Sequence, residues 1–201
     1  MELNEFLKII RTRWVTVFVT ATLTTLAALA YTLAQTPQYQ ASTRLFVSTA
    51  AGKSVSDLYS GNRLAQDRVL SYAQLITGET LAQRTVDRLN LDVGAATVKE
   101  KVTANVAPET VLIDVSVIDP SPVQARDIAN ALSDEFVIMV RELETPAQGS
   151  KPDARVVVEQ RATVPSVPVS PKKMRNLAAG ILLGGMLGVG LYPEAGSEDA
   201  D

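Results

Sequence analysis

Residues 102–136 read VTANVAPETVLIDVSVIDPSPVQARDIANALSDEF. Val102, Ala104 and Val106 alternate before Pro108-Glu109, and Val111, Ile113, Val115 and Val117 alternate after it. A period of two on both sides of a turn predicts a hairpin over 102–118 with one buried face. Asp119-Pro120-Ser121-Pro122 ends the second strand. Ser121 is an N-cap residue, Pro122 suits the first helical position, and Gln124 completes a capping box. Ile128, Leu132, Phe136, Met139 and Leu143 then recur on one helical face. A hairpin followed at once by an amphipathic helix predicts an α+β unit, a small sheet covered by helices.

The same periods extend outward. Asn62 to Ile76 has helical spacing, with Ala65, Val69, Tyr72, Ala73 and Ile76 on one face. Gly78 stops it, and Glu79 to Leu91 forms a second short helix with Leu81, Val86 and Leu89 inward. Residues 49–61, with Gly, Ser, Lys and Asp, read as a loop. Residues 38–48 alternate Ala41, Thr43, Leu45 and Val47 with Gln40, Ser42, Arg44 and Phe46, a strand. Beyond the long helix, Arg155 to Val164 is the last strand. Pairing the first and last strands would bring together the segments that flank them.

Those flanks are uncharged. No charged residue lies between Arg13 and Arg44, and Trp14 to Ala34 is apolar with interspersed threonines. About 20 helical residues cross a hydrocarbon core of roughly 30 Å. Threonine hydroxyls can bond back to the preceding turn, so they are tolerated in lipid. Residues 14–34 are therefore expected to be a first transmembrane helix. Lys8, Arg11 and Arg13 precede it and place residues 1–13 in the cytoplasm. A cleaved signal peptide is the competing reading, with Ala28-Leu29-Ala30 as its site, but the apolar run is too long and starts too late.

A second uncharged run lies between Arg175 and Glu194. Residues 176–192 are expected to be a second transmembrane helix. Gly180, Gly184 and Gly188 form a small-xxx-small ridge, expected to serve helix packing or oligomerisation. In a soluble buried helix each glycine would cost about 1 kcal/mol relative to alanine. Two spans put both termini in the cytoplasm and residues 35–172 outside. Lys172, Lys173 and Arg175 then lie on the outer side, against the simple charge rule. Pro165, Pro168 and Pro171 recur every third residue, as in a polyproline II rod. Residues 165–175 are read as a stiff spacer rather than an SH3 ligand, since they lie outside the cytoplasm. The expected order is thus 1–13 cytoplasmic, 14–34 span, 35–164 extracytoplasmic α+β domain, 165–175 spacer, 176–192 span, and 193–201 a disordered acidic tail.

Composition limits the chemistry. The 201 residues contain no histidine and no cysteine. That excludes disulfides, thiolate nucleophiles, imidazole bases and Cys- or His-ligated metals. With 19 Lys+Arg against 22 Asp+Glu and one Trp, the chain is a poor nucleic-acid binder. Gly52-Lys53-Ser54 resembles the end of a P-loop, but Val47 stands where its first glycine belongs, so a surface loop is expected. Asp114, Asp119, Asp134 and Glu135 are expected on exposed faces, without the context of an acid/base dyad. Arg126 with Asp127, and Asp87 with Arg84 and Arg88, read as helix surface. No catalytic residue, metal or cofactor is expected. A carboxylate hydrolase using Asp114 and Asp119 is the competing enzymatic reading.

Read in order, several segments carry a family likeness. They are ELNEFLKIIRTRW, the first span, QYQASTRLFV, IDPSPVQARDIANALSDEF, VPSVPVSPKK and the glycine-rich second span. This succession resembles the Wzz-type chain-length determinants, the polysaccharide co-polymerases, and is similar in particular to their Gram-positive branch. Asp119-Pro120 followed by Ala125, Ala129 and Asn130, and the proline triplet followed by a span, carry it most strongly. The resemblance implies a multi-pass protein of the bacterial plasma membrane, assembled as a homo-oligomer. It would be a non-enzymatic scaffold setting chain length or export of a surface glycan (exopolysaccharide, capsule or an O-antigen-like chain) beside a membrane polysaccharide polymerase. The alternative it implies is an adaptor that activates a cytoplasmic tyrosine autokinase. Two departures stand out. There is no room for a long helical hairpin before the last strand. Leu191-Tyr192-Pro193 also breaks the second span before an acidic nonamer, where the family has a basic cytoplasmic tail. That implies a truncated or frame-shifted end, or a different coupling to the kinase.

Overall fold

The computed structural model describes residues 14–49, 55–145 and 154–190. The expectations for residues 1–13, for Gly52-Lys53-Ser54 and for 191–201 fall outside these. The elements run α1 (Trp14–Ala34), β1 (Tyr39–Thr49), α2 (Val55–Ile76), α3 (Glu79–Leu89), α4 (Ala95–Lys101), β2 (Val102–Val106), β3 (Leu112–Asp119), α5 (Pro122–Glu144), β4 (Ala154–Gln160) and α6 (Lys173–Gly190). They form two compact units. One is Gln38–Val169; the other joins the segment ending at Pro37 to the segment starting at Ser170.

The larger unit is α+β. Its four strands lie in the order β2-β3-β1-β4, each pair antiparallel. The alternation in β1 decides which face is inside: Ala41, Thr43, Leu45 and Val47 are all buried. Opposite them across the register stand Val117, Val115 and Ile113 of β3, and Val156 of β4 faces Val47. Helix α5 covers β1, β3 and β4, and α2 covers β1 and β2. Ile128, Leu132 and Phe136 of α5 are fully buried. Phe136 meets Tyr72 of α2 edge to face, ring centroids 5.8 Å apart. The core therefore lies between one face of the sheet and a helical layer, the two-layer solution for a half-apolar sheet. β1 and β4, the strands next to the two apolar flanks, do pair, with an irregularity between Arg44 and Leu45.

The turns follow from local chemistry. Ser121 Oγ accepts from the Gln124 N–H at 3.3 Å, and Pro122 takes the first helical position, as expected. The other half of the capping box differs. The Ser121 N–H goes to the Asp119 carboxylate at 2.8 Å, leaving no donor for the Gln124 side chain. In the hairpin, the Thr110 N–H reaches the Ala107 carbonyl, and Glu109 takes φ of 60°. With Pro108 ahead of it, this has the features of a type II turn that normally favours glycine there.

Several boundaries differ from the sequence reading. α2 begins at Val55, so much of the expected loop at 49–61 is helical. The Ser, Asp and Gly residues there weaken the local signal without preventing a helix that continues into a packed segment. α3 ends at Leu89 because Asn90 takes a left-handed conformation. α4 buries only Ala95 and Val98, too few positions to show a period. β4 stops at Gln160 rather than Val164, and Leu143 is 61% exposed instead of closing the α5 stripe. α6 starts at Lys173, inside the segment expected as spacer.

The smaller unit consists of α1 and α6 packed together. α1 is the helix, among the described residues, that is long and apolar enough to cross a membrane. Phe18 and Leu23 are each 65% exposed, where a core helix of a soluble domain would bury them.

Candidate functional site

The glycine ridge sets the geometry of the helix pair. Without a Cβ, Gly180 lies against Ala28 and Thr25, Gly184 against Thr24 and Ala21, and Gly188 against Thr20 and Val17. The partners descend along α1 as the glycines ascend along α6, so the helices are antiparallel. A Cβ at Gly184 would stand 2.6 Å from the Ala21 Cα, and one at Gly188 2.7 Å from the Val17 Cα. Gly185, one residue round the helix, has nothing within 4 Å of such an atom. The close approach also brings hydroxyls to backbone. Thr24 Oγ1 donates to the Gly180 carbonyl at 2.9 Å, and Thr20 Oγ1 to the Gly184 carbonyl at 3.1 Å. Each hydroxyl also lies within bonding distance of carbonyls on its own helix. Asn176 Nδ2 donates to Thr32 Oγ1 at 3.2 Å. The sequence shows the ridge; it does not show that the threonines of α1 are its counterpart, because a threonine that bonds back to its own preceding turn is tolerated on any face of a span.

The prolines divide between the units. Pro165 and Pro168 belong to the larger one, in a stretch without regular secondary structure. That stretch is tied at two points. Asn130 of α5 donates from Nδ2 to the Ala162 carbonyl at 3.1 Å and accepts the Ala162 N–H at 3.0 Å. The Val169 N–H reaches the Gln38 carbonyl at 2.8 Å. Asn130 thus acts as a short length of strand edge for the chain leaving β4. Pro171 belongs to the smaller unit and lies on a groove between α1 and α6.

The carboxylates are structural. Asp114 accepts from Arg44 Nε at 2.7 Å across β1 and β3, and this pairing holds the guanidinium above its usual pKa. Asp119 is not on an exposed face. It is 1% exposed, with Lys101 Nζ at 2.8 Å besides the Ser121 N–H. Both its oxygens are engaged in fixing the strand-to-helix corner. Arg84 and Arg88 do not pair with Asp87; they cross to α5, reaching Glu142 and Glu135 at 2.8 Å each. Asp87 accepts from Gln83 instead. Helix contact α3 to α5, invisible to a reading along one helix, redirects them. Among the described residues, no group of three or more His, Cys, Asp or Glu is placed to hold a metal ion.

One polar cluster ties α2 to the end of α5. Glu144 accepts from the Tyr72 hydroxyl at 2.8 Å and from Arg68. Burial, reinforced by the hydrogen bond to Glu144, pushes the Tyr72 phenol up to about 12. A phenol raised in the folded state favours folding fully below its unfolded pKa of about 10, and that contribution fades as pH rises towards 12. Glu144→Gln should lower the Tyr72 midpoint. Tyrosinate absorbance, taken as a difference against Tyr72→Phe, reads it; an unmoved midpoint would deny Glu144 that role.

The class defined so far is a two-layer α+β unit accompanied by a helix pair, one helix of membrane-crossing length. The comparisons narrow it. Residues 1–89 match the sequence model of the family Wzz, chain length determinant protein. The capsular polysaccharide biosynthesis protein CpsC of Streptococcus agalactiae is 26% identical over 153 residues, 74% of this chain and 62% of that protein. CpsC of Streptococcus pneumoniae is 27% identical over 190 residues, 90% of this chain and 77% of that protein. YveK of Bacillus subtilis, an uncharacterised protein, is 26% identical over 178 residues, 88% and 73% of the two chains. A solved full-length bacterial polysaccharide co-polymerase overlays with a TM-score of 0.48 at 12% identity, covering 94% of this chain and 96% of that one. The resemblance to Wzz-type chain-length determinants, and to their Gram-positive branch, is borne out. The chain spans less than two thirds of the S. agalactiae relative's length.

Proposed function

We propose that this protein is a non-enzymatic membrane scaffold that regulates the chain length or export of a surface polysaccharide. The match of residues 1–89 to the Wzz chain length determinant carries the reading. The carboxylates support it, since Asp114, Asp119 and Glu144 are each satisfied by a structural partner. Function is argued from sites, and what the described residues offer is packing surface rather than reacting groups.

In this reading α6 is the second span. Its 18 residues cover about 27 Å, and Leu182 and Met186 are 68% and 72% exposed, as lipid-facing side chains are. The glycine ridge holds the two spans together, both termini are cytoplasmic, and the α+β unit stands outside on a proline-rich spacer. The scaffold assembles as a homo-oligomer beside a membrane polysaccharide polymerase. An adaptor role towards a tyrosine autokinase rests on the basic residues 1–13, outside the described residues; the acidic sequence after Pro193, where the family has a basic tail, counts against it, and it is not favoured over the scaffold.

Deleting the gene should alter the amount or the length distribution of the surface glycan, and the full chain should restore it. Glycan profiles by gel electrophoresis check this; an unchanged profile in the deletion strain would rule the reading out.

A further inference from the structure

The groove between α1 and α6 has a chemistry that helix packing does not use. It is open to its surroundings, with a volume of about 610 Å³. Ala28, Ala179, Leu183 and Leu187 line its length, and Lys172 and Arg175 stand at one end beside Tyr31 and Gln35. From Arg175 to Leu187 the helix advances about 18 Å, more than half of a hydrocarbon core of roughly 30 Å. The groove is therefore charged and polar at the depth of a membrane surface, and apolar for about the depth of one leaflet.

Among the described residues the cations have no anion of their own. No Asp or Glu occurs from residue 14 to 43 or from 160 to 193, so both walls of the groove are free of carboxylates. Lys172 and Arg175 are exposed, and neither forms an ion pair among the described residues. The chain as a whole is acidic, at −3, yet this end of the unit is purely basic. A lysine and an arginine over an apolar slot complement an anion that carries a hydrocarbon chain.

We propose that the groove holds an anionic phospholipid of the surrounding bilayer. Its headgroup phosphate lies on Lys172 and Arg175, and one acyl chain lies along Ala28, Ala179, Leu183 and Leu187. The guanidinium offers a fork of donors to phosphate oxygens, and Lys172 adds a second charge. Gly180, by admitting α1 so closely, makes the floor of the slot from both helices. The lipid would give the outward basic cluster a reason to stand against the charge rule. This inference rests on the two-span reading.

The test uses the full chain in a neutral detergent, offered dioleoyl phosphatidylglycerol or dioleoyl phosphatidylcholine, with retained lipid counted by native mass spectrometry. The anionic lipid should be retained at about tenfold lower concentration than the zwitterionic one. Lys172→Gln with Arg175→Gln should remove that preference. Leu183→Trp, which keeps both charges and fills the slot, should lower retention of the anionic lipid. Equal retention of the two lipids, or retention unmoved by both variants, would overturn the proposal. The two-span reading is checked apart from it: the chain contains no cysteine, so Ser170→Cys and Ser197→Cys, each made alone, should label from opposite sides of the membrane. Labelling from one side would fail that reading whatever the lipid result.

Discussion

Phe136→Ala should destabilise the α+β unit by about 3–5 kcal/mol, the usual cost of emptying a fully buried aromatic site. Phe136 is 0% exposed and sits where α5 meets both the sheet and Tyr72 of α2. The ring does two things there. It fills space between the two layers, and it meets Tyr72 edge to face, ring centroids 5.8 Å apart. Truncation would leave Tyr72 without that partner, worth about 0.5–1.5 kcal/mol beyond area. Tyr72 cannot swing into the void without giving up Glu144 and so leaving a buried hydroxyl unpaired. The site therefore collapses poorly, which places the cost at the upper part of the range. For a unit of this size the melting temperature should fall by on the order of 10–20 °C. Thermal unfolding of the full chain in detergent, followed by circular dichroism, reads it. Leu143→Ala, at a site 61% exposed on the same helix, should change stability by no more than about 0.5 kcal/mol. Equal effects at the two sites would contradict the assignment of the core.

That pair of residues also shows what the sequence reveals. Period identifies a face, and Ile128, Leu132, Phe136 and Met139 do lie inward. It does not say where the opposing layer ends, so Leu143, one turn further, reads the same and is exposed. Strands are more legible because alternation is matched from both sides: Ala41, Thr43 and Leu45 find their partners in β3, and Val47 in β4. Polar residues were least legible. Asp119 and Arg88 look like surface along their own elements, yet one is sealed at a corner by Lys101 and the other crosses to α5. Such pairings join residues of different elements, and no local period records them. Asn130 is a sharper case. It was visible only as part of a family pattern, and its task, holding Ala162 by two backbone bonds, belongs to a segment 32 residues away.

Gly184→Leu should separate α1 from α6. A leucine side chain begins with a Cβ that would stand 2.6 Å from the Ala21 Cα and 3.0 Å from the Thr20 carbonyl oxygen, so besides the Thr24 hydroxyl it meets helix backbone. Neither helix can yield locally, so the pair must move apart along its whole length. Inserting atoms into a packed interface costs about 1–3 kcal/mol. Separation also removes the bonds from Thr24 to Gly180 and from Thr20 to Gly184, each worth about 0.6 kcal/mol between helices in a bilayer. The hydroxyls keep acceptors on their own helix, so their loss adds modestly and steric overlap dominates. Because the chain has no cysteine, a disulfide reports the distance cleanly. Thr32→Cys with Asn176→Cys replaces two side chains already 3.2 Å apart and should cross-link readily in membranes. Adding Gly184→Leu should lower the yield about tenfold or more, the factor that 1.4 kcal/mol or more implies. Gly185→Leu, whose Cβ meets nothing within 4 Å, should leave it unchanged. If both leucines reduce cross-linking alike, chain flexibility and not the ridge governs the pairing. If neither does, α1 and α6 do not meet along Gly180, Gly184 and Gly188. Under the proposed function, Gly184→Leu should also shift glycan length towards the deletion profile while Gly185→Leu does not.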